Sequence, residues 1–121
     1  MTQYLLSMPH DSAEEPTMAT MDPAELAAAL AAVGAFMAEL TSSGALVFAG
    51  GLHPPSTAVT VDNTGDGLVL ADEPFTRAPE YLGGFWVVEA ADREAAVTWA
   101  AKASKALGAR IEVRAFQDVP A

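Results

Sequence analysis

The chain has 121 residues, with six Lys and Arg against sixteen Asp and Glu and a formal net charge of −10. This length fits one domain, residues 1–121, built around a single core. An acidic chain without a basic stripe repels phosphate backbones and anionic bilayers, so nucleic-acid binding is excluded and no membrane partner is expected.

The sequence also restricts location and cofactor chemistry. No apolar run approaches the roughly 18 residues of a membrane span, and the start, MTQYLLSMPHD, lacks the basic flank and long apolar segment of a signal peptide. We therefore predict an unexported, cytoplasmic protein. The absence of cysteine excludes disulfides and thiolate metal sites.

The first predicted element is a strand, TQYLLSM, at residues 2–8. Its alternating positions are apolar on both sides, with Tyr4 and Leu6 on one face and Leu5 on the other, which is typical of a strand buried on both faces. The polar, proline-bracketed residues 9–21 show no periodicity and predict a loop.

A helix is predicted next. Asp22 is suited to cap it, Pro23 to occupy its first position and Glu25 to complete the cap. The helix should run to about Ser42 and end at Gly44. The apolar residues recur at spacings of three and four, which predicts one core-facing stripe: Leu26, Leu30, Val33, Phe36, Met37 and Leu40.

The second half begins with the predicted strand ALVFAGGL, which should break at Gly50 and Gly51. STAVTVD and GLVLA follow as a hairpin around the turn-rich residues 63–67. The next predicted strand, GGFWVVEA, is apolar on both faces, Phe85 and Val87 against Trp86 and Val88.

A second helix is expected from its cap at Asp92 to Gly108. The last strand, ARIEVRAF, alternates strictly. Its inner face carries Ile111, Val113 and Ala115, and its other face carries Arg110, Glu112 and Arg114.

This order, β-α-β, a hairpin and β-α-β, predicts an α+β, ferredoxin-like fold: an antiparallel sheet with two helices on one face. Because two strands are apolar on the uncovered face too, a single chain would expose a large apolar patch. A homodimer packed sheet to sheet would bury it. The alternative is a monomer whose long loops fold over the sheet.

The connection ADEPFTRAPEYLGG, residues 71–84, is longer than a hairpin needs. Asp72 follows a strand, Phe75 could anchor the loop, and Gly83 with Gly84 would let the backbone pass close to another strand or a ligand. The plainer alternative is that Asp72 accepts backbone hydrogen bonds in a turn while Phe75 only holds the loop in place.

Residues 47–116, well over half of the chain, resemble the YCII-related family and its DGPF-type branch. The resemblance rests on Asp72-Glu73-Pro74-Phe75, GGLHPPSTAVTV, LGGFWVVEA, the alanine-rich helix with Trp99-Ala100 and the closing Glu112-Val113-Arg114. Glu73 stands where the signature has glycine, and Pro79 where lysine is usual. The resemblance implies a ferredoxin-like domain that dimerises as an α+β barrel, with no settled reaction. It also implies a link, in some members, to extracytoplasmic-function sigma factors.

The candidate catalytic residues are Asp72, His53 and His10. An imidazole oriented by a carboxylate can act as a general base near neutral pH. Either histidine could equally be a surface residue. No His-x-His or His-x-x-x-His spacing supports a metal site, and no glycine-rich phosphate motif or nucleophile elbow is present, so we predict no metal and no cofactor.

Two classes of function remain. The first is a small enzyme doing acid-base chemistry on a small organic molecule, in a cleft formed by Asp72 and the predicted ligand-binding residues Tyr4, Phe75, Trp86 and Arg114. The second is a non-catalytic regulatory or interaction module. Arg114 could clamp an anionic ligand, or pair with Glu112 or Glu89 of the sheet.

Overall fold

The computed structural model describes residues 1–10, 22–74 and 81–117, apart from the His10 side chain. These residues form strands β1 (Thr2–His10), β2 (Leu46–Gly51), β3 (Thr60–Asp62), β4 (Val69–Ala71), β5 (Tyr81–Ala90) and β6 (Glu112–Ala115), and helices α1 (Pro23–Ser42) and α2 (Arg93–Leu107). A 3-10 turn, Pro55–Thr57, follows β2. The predicted loop over residues 11–21, and Phe75 and Pro79 of the long connection, lie outside the described residues.

Four strands form one sheet in the order β2-β5-β1-β6, and every neighbouring pair is antiparallel. With one helix after β1 and one after β5, this is the ferredoxin-like arrangement. The predicted α+β fold is therefore confirmed. The sheet of a single chain is open, with β2 and β6 at its edges, and β3 and β4 form a separate two-stranded sheet.

Strand β2 ends at Gly51, within the glycine pair where its break was predicted. Both glycines are still paired in the sheet, Gly50 with Phe85 and Gly51 with Gly84. A Cβ atom on Gly84 would lie 3.1 Å from the Gly50 carbonyl oxygen and 3.3 Å from the Gly51 Cα. Gly84 therefore lets the two backbones approach closely at the end of β2.

Both helices begin and end where the local sequence predicts. The Asp22 carboxylate accepts a hydrogen bond from the Ala24 N–H at 3.1 Å, and that of Asp92 accepts one from the Ala95 N–H at 2.9 Å. After α2, Gly108 has a φ of 66°, the left-handed conformation in which glycine carries no Cβ penalty.

The core lies between the sheet and the two helices. Alternate residues of the central strands point into it, including Leu6 and Val88, which are fully buried. From α1 come Phe36 and Leu40, and from α2 the small residues Ala96, Ala100 and Ala103. Because both helices enter one cluster, they cover the same face of the sheet.

Helix α1 is less buried than its apolar stripe predicted. Phe36 and Leu40 are buried, but Leu30 is 54% exposed, so the prediction that it faces the core is wrong. The C-terminal half of α1 packs on Trp86 and Trp99 through Phe36 and is joined to α2 by the Glu39–Lys102 ion pair. A 20-residue helix is about 30 Å long, so its N-terminal half extends beyond these contacts.

Among the described helices, α1 alone is long and apolar enough to cross a membrane, with a mean hydropathy of 1.5. Only the length and composition of α1 support a membrane span, and the core helix of a soluble protein can meet the same two criteria. Only 11% of the apolar window is buried, so much of the alanine surface of α1 faces solvent in a single chain.

The second face of the sheet, here called the open face, carries Leu5, Phe48, Phe85 and Val87 at its centre. They alternate with the core residues along β1 and β5, so they point away from both helices. The rings of Phe48 and Phe85 lie 5.9 Å apart between centroids. Even so, Phe48 remains 59% exposed.

The β3–β4 hairpin also exposes apolar surface. Five aliphatic residues are each more than half exposed: Val59, Val61, Leu68, Val69 and Leu70. The two strands pair through Thr60↔Ala71, Val61↔Leu70 and Asp62↔Val69. Its sharp turn is held by the Thr64 hydroxyl, which donates to the Asp62 carboxylate at 2.7 Å.

Candidate functional site

A cleft of about 700 Å³ opens where the end of β1 meets the start of β5 and the approach to β6. Its lining comes from β1 (Leu5, Ser7, Met8 and Pro9), from β5 (Tyr81 and Leu82) and from residues in and before β6 (Arg110, Ile111, Glu112 and Arg114). This volume lies within the roughly 300–1,000 Å³ of small-molecule sites.

The pairing of β6 with β1 sets the polar wall of this cleft. Arg114 lies opposite Leu5, and Glu112 lies opposite Ser7. Because Val113 between them packs against the core, both charged side chains stand on the open face. The pairing register of β1 with β5 is irregular between Met8 and Pro9, and this irregularity shapes the end of the cleft that these two residues line.

The charged residues of the cleft come from β6 and the residues just before it. Among the described residues that line the cleft, Arg110 and Arg114 are basic and Glu112 is acidic, in a chain that has six Lys and Arg in all. Within the described ranges, Arg114 is exposed and has no ion pair. A guanidinium group with free N–H donors can bind a carboxylate in bidentate geometry.

No described contact joins the predicted catalytic residues to one another. His53 follows β2 and Asp72 follows β4, and both are exposed. In residues 22–74, no hydrogen bond or ion pair joins them. The His10 side chain and Phe75 lie outside the described part of the chain, so a base at His10 or His53 assisted by Asp72 stays a prediction.

Asp72 occupies a hydrogen-bonded turn at the end of the hairpin. The Glu73 N–H donates to the Ala71 carbonyl oxygen at 2.8 Å. The Thr60 hydroxyl donates to the Glu73 carbonyl oxygen at 2.6 Å. The start of the long connection is therefore held against the hairpin by the Thr60 hydroxyl.

Tyr4 and Trp86 lie on the face opposite Arg114. They are 8% and 7% exposed and belong to the core beneath the helices. The Trp86 ring meets Phe36 edge to face at 5.6 Å, and its Nε1–H donates to the Met37 Sδ at 3.2 Å. The residues predicted to share one cleft thus lie on two different faces of the sheet. Of Tyr4, Trp86 and Arg114, only Arg114 lines the cleft described above, here called the open-face cleft.

Tyr81, Leu82 and Arg110 were not singled out by the sequence. Tyr81 and Leu82 begin a strand two residues before its predicted start. The sequence could have identified Arg110 as a cleft residue, because the alternation in ARIEVR places it on the same side of the strand as Arg114. No group of three or more His, Asp or Glu side chains able to hold a metal ion occurs in the part of the chain that the structure describes.

The family model of the YCII-related domain matches residues 2–117. The match covers nearly the whole chain and agrees with its ferredoxin-like sheet, so this protein belongs to the YCII-related domain family. Among curated proteins, none matches the chain.

Proposed function

We propose that this YCII-related protein is a cytoplasmic homodimer that binds a small organic anion in the cleft beside its open face. The observation that carries the proposal is the position of Arg114. It stands at the end of an apolar sheet face that no described helix covers.

The dimer follows from the apolar open face. Leu5, Phe48, Phe85 and Val87 form a contiguous patch, yet a single chain leaves more than half of Phe48 in water. Two such sheets packed face to face would interdigitate these side chains across about 10 Å and remove them from solvent. Such an assembly is the dimeric α+β barrel expected from the family resemblance. A second copy would also close the cleft from above.

The charges favour a particular class of ligand. Arg114 would attract a carboxylate, while Glu112 in the same wall would repel a highly charged anion and accept a hydrogen bond. A small carboxylic acid that also carries a hydroxyl or ammonium group satisfies both. If the protein is an enzyme, Asp72 with His53 or His10 would supply the acid-base step.

The test is a thermal-shift comparison using small hydroxy and amino carboxylates as probes. A ligand that binds the folded state at 100 times its dissociation constant stabilises it by about 2.7 kcal/mol, which is several degrees in a domain of this size. Arg114→Gln should lose the shift. Arg93→Gln, at the exposed start of α2, is the matched control and should keep it.

Turnover assays on any stabilising compound then separate an enzyme from a binding protein, since a binder stabilises without product. The proposal fails if no carboxylate shifts the melting temperature, or if Arg93→Gln and Arg114→Gln lose the response equally.

A second candidate function is a regulatory module that binds a protein, and the apolar hairpin favours it. Five exposed aliphatic residues, three on the two short strands and two just before them, resemble a docking surface more than a solvated turn. Sigma factors of the extracytoplasmic-function type are the partners implied by the family resemblance. Titration with such a purified factor, followed by sedimentation, should show binding that Leu70→Asp abolishes and Phe48→Ala preserves.

A further inference from the structure

A second hollow, of about 260 Å³, lies on the helix-covered side of the sheet, between β2, β5 and the ends of both helices. Its walls are Met8, Met37, Trp86 and Leu107, and its floor is the backbone of the glycines in β2 and β5. It is therefore distinct from the cleft that holds Arg114, and inferences about it do not depend on the proposed function.

The glycines create this hollow. Gly51 and Gly84 pair across β2 and β5 at positions where a strand normally directs side chains into the core. A Cβ on Gly51 would meet no atom within 4 Å, and Gly51 is exposed, so the hollow opens to solvent at this end. Its volume exceeds the roughly 150 Å³ that is enough for benzene in an enclosed apolar cavity.

Trp86 and Met37 both line the hollow, and the indole N–H of Trp86 has only a weak acceptor. The Trp86 side chain is 7% exposed, and its Nε1–H donates to the Met37 thioether at 3.2 Å. Thioether sulfur is a weak acceptor, so a buried indole N–H would gain from a carbonyl oxygen in the same position. Methionine side chains adapt readily to a ligand.

We propose that this hollow is a binding site for a small neutral aromatic ketone or a molecule of similar shape, whose ring fills the space above Gly51 and Gly84 and whose carbonyl oxygen accepts the Trp86 Nε1–H. The walls disfavour charged ligands, because none of the described residues that line the hollow is charged.

The test uses acetophenone, with ethylbenzene as an analogue of similar shape that lacks the oxygen and benzoate as the charged analogue. The chain has two tryptophans, so the ¹H–¹⁵N spectrum has two indole signals, assigned with Trp99→Phe. Acetophenone should move the Trp86 signal with a dissociation constant on the order of 1 mM. Ethylbenzene should bind about three- to tenfold more weakly, and benzoate should not bind.

Three variants locate the site. Gly51→Leu should fill the hollow and abolish the response to both neutral ligands, while Gly65→Leu, in the hairpin turn with open space around it, should retain it. Met37→Leu keeps the volume but removes the competing acceptor, so the preference for acetophenone over ethylbenzene should increase. Trp86→Phe, in which binding is followed by the backbone amide signals of Gly51 and Gly84, should abolish that preference.

Several results would overturn the proposal. The first is that neither neutral ligand moves the Trp86 signal. The second is that a folded Gly51→Leu variant responds to the ligands as the wild type does. The third is that the wild type binds acetophenone and ethylbenzene with equal affinity. If Gly51→Leu does not fold, the Met37→Leu comparison still decides, because an unchanged or reduced preference for acetophenone contradicts the role of the indole N–H.

Discussion

Replacing Phe48 by alanine should weaken the proposed homodimer strongly and the single folded chain only slightly. In one chain the ring makes a described contact with Phe85, at 5.9 Å, and is 59% exposed. Loss of an aromatic pair of this kind costs about 1 kcal/mol. The remaining surface of the ring contributes little until a second sheet covers it.

The exposed fraction sets the size of the effect on association. A phenylalanine offers roughly 200 Å², so about 120 Å² of Phe48 would leave water on docking. At about 25 cal/mol per Å², this is ~3 kcal/mol for each copy and ~6 kcal/mol for a symmetric pair. Both are upper values because association also orders side chains, so we expect the dimer to weaken by about a hundredfold, which corresponds to roughly 2.7 kcal/mol.

Sedimentation equilibrium over micromolar concentrations measures this effect. Leu30→Ala is the matched control, because Leu30 is 54% exposed but lies on the helix layer. It should leave the dimer intact. A wild-type chain that sediments at 12.5 kDa throughout would refute the open-face dimer, and so would equal dissociation of the Phe48→Ala and Leu30→Ala variants.

Three further predictions concern the fold itself. Gly84→Ala places a Cβ atom 3.1 Å from a carbonyl oxygen of β2, so urea unfolding should show a free energy of unfolding lower by ~1–3 kcal/mol. Gly51→Ala is the control, because the added Cβ would lie in open space and should be tolerated. Equal losses of stability in the two variants would contradict the close approach at Gly84. Asp92→Ala removes the cap of α2 and should lower the free energy of unfolding by about 1 kcal/mol in the same assay. Asp92→Asn, which can still cap the helix, should retain most of that free energy. An alanine variant as stable as the wild type would show that the cap is dispensable. The Thr64 hydroxyl, and then its backbone N–H, hold the pKa of Asp62 below its ordinary value, so Thr64→Val should raise that pKa in a carbon-13 NMR titration. Because the folded pKa is depressed, the hydroxyl bond stabilises the fold above the unfolded pKa, and its contribution disappears as pH falls through the folded pKa. An unshifted Asp62 would contradict the assignment.

The helix ends could be predicted because their signals are local. Asp22 and Asp92 are each followed by the turn that they cap, and Gly108 adopts the left-handed conformation expected at a helix end. Each signal needs only a few neighbouring residues, so the rest of the fold cannot easily override it. The alternation of β6 was predictable for the same reason.

Features that depend on distant contacts were predicted less well. The sequence marks Gly50 and Gly51 only as the end of a strand, but it does not show that both pair with β5 or that Gly84 opposite them has no room for a Cβ atom. Leu30 fits the apolar period of α1, yet that period says nothing about how far the sheet extends beneath the helix. In both cases the deciding contacts are tertiary and lie outside the local pattern.

The open-face cleft could not be assembled from the sequence. Its walls come from three strands that are neighbours only because of the order β5-β1-β6, and its far end depends on a register irregularity after Met8. Arg114 was found because strand periodicity put a cation on the uncovered face. Tyr4 and Trp86 were assigned to the same cleft because a residue pattern cannot show which face the helices cover.

The strand order also determines when the sheet can form during synthesis. Thr2 pairs with Ala90, and Ser7 pairs with Glu112, so both neighbours of β1 are contributed by the second half of the chain. Sheets built from such long loop closures fold slowly, on the order of milliseconds to seconds. Until β5 leaves the ribosome, the nascent chain carries the apolar β1 and the alanine-rich α1 without their partners, and this interval is when it is most exposed to aggregation and to capture by chaperones.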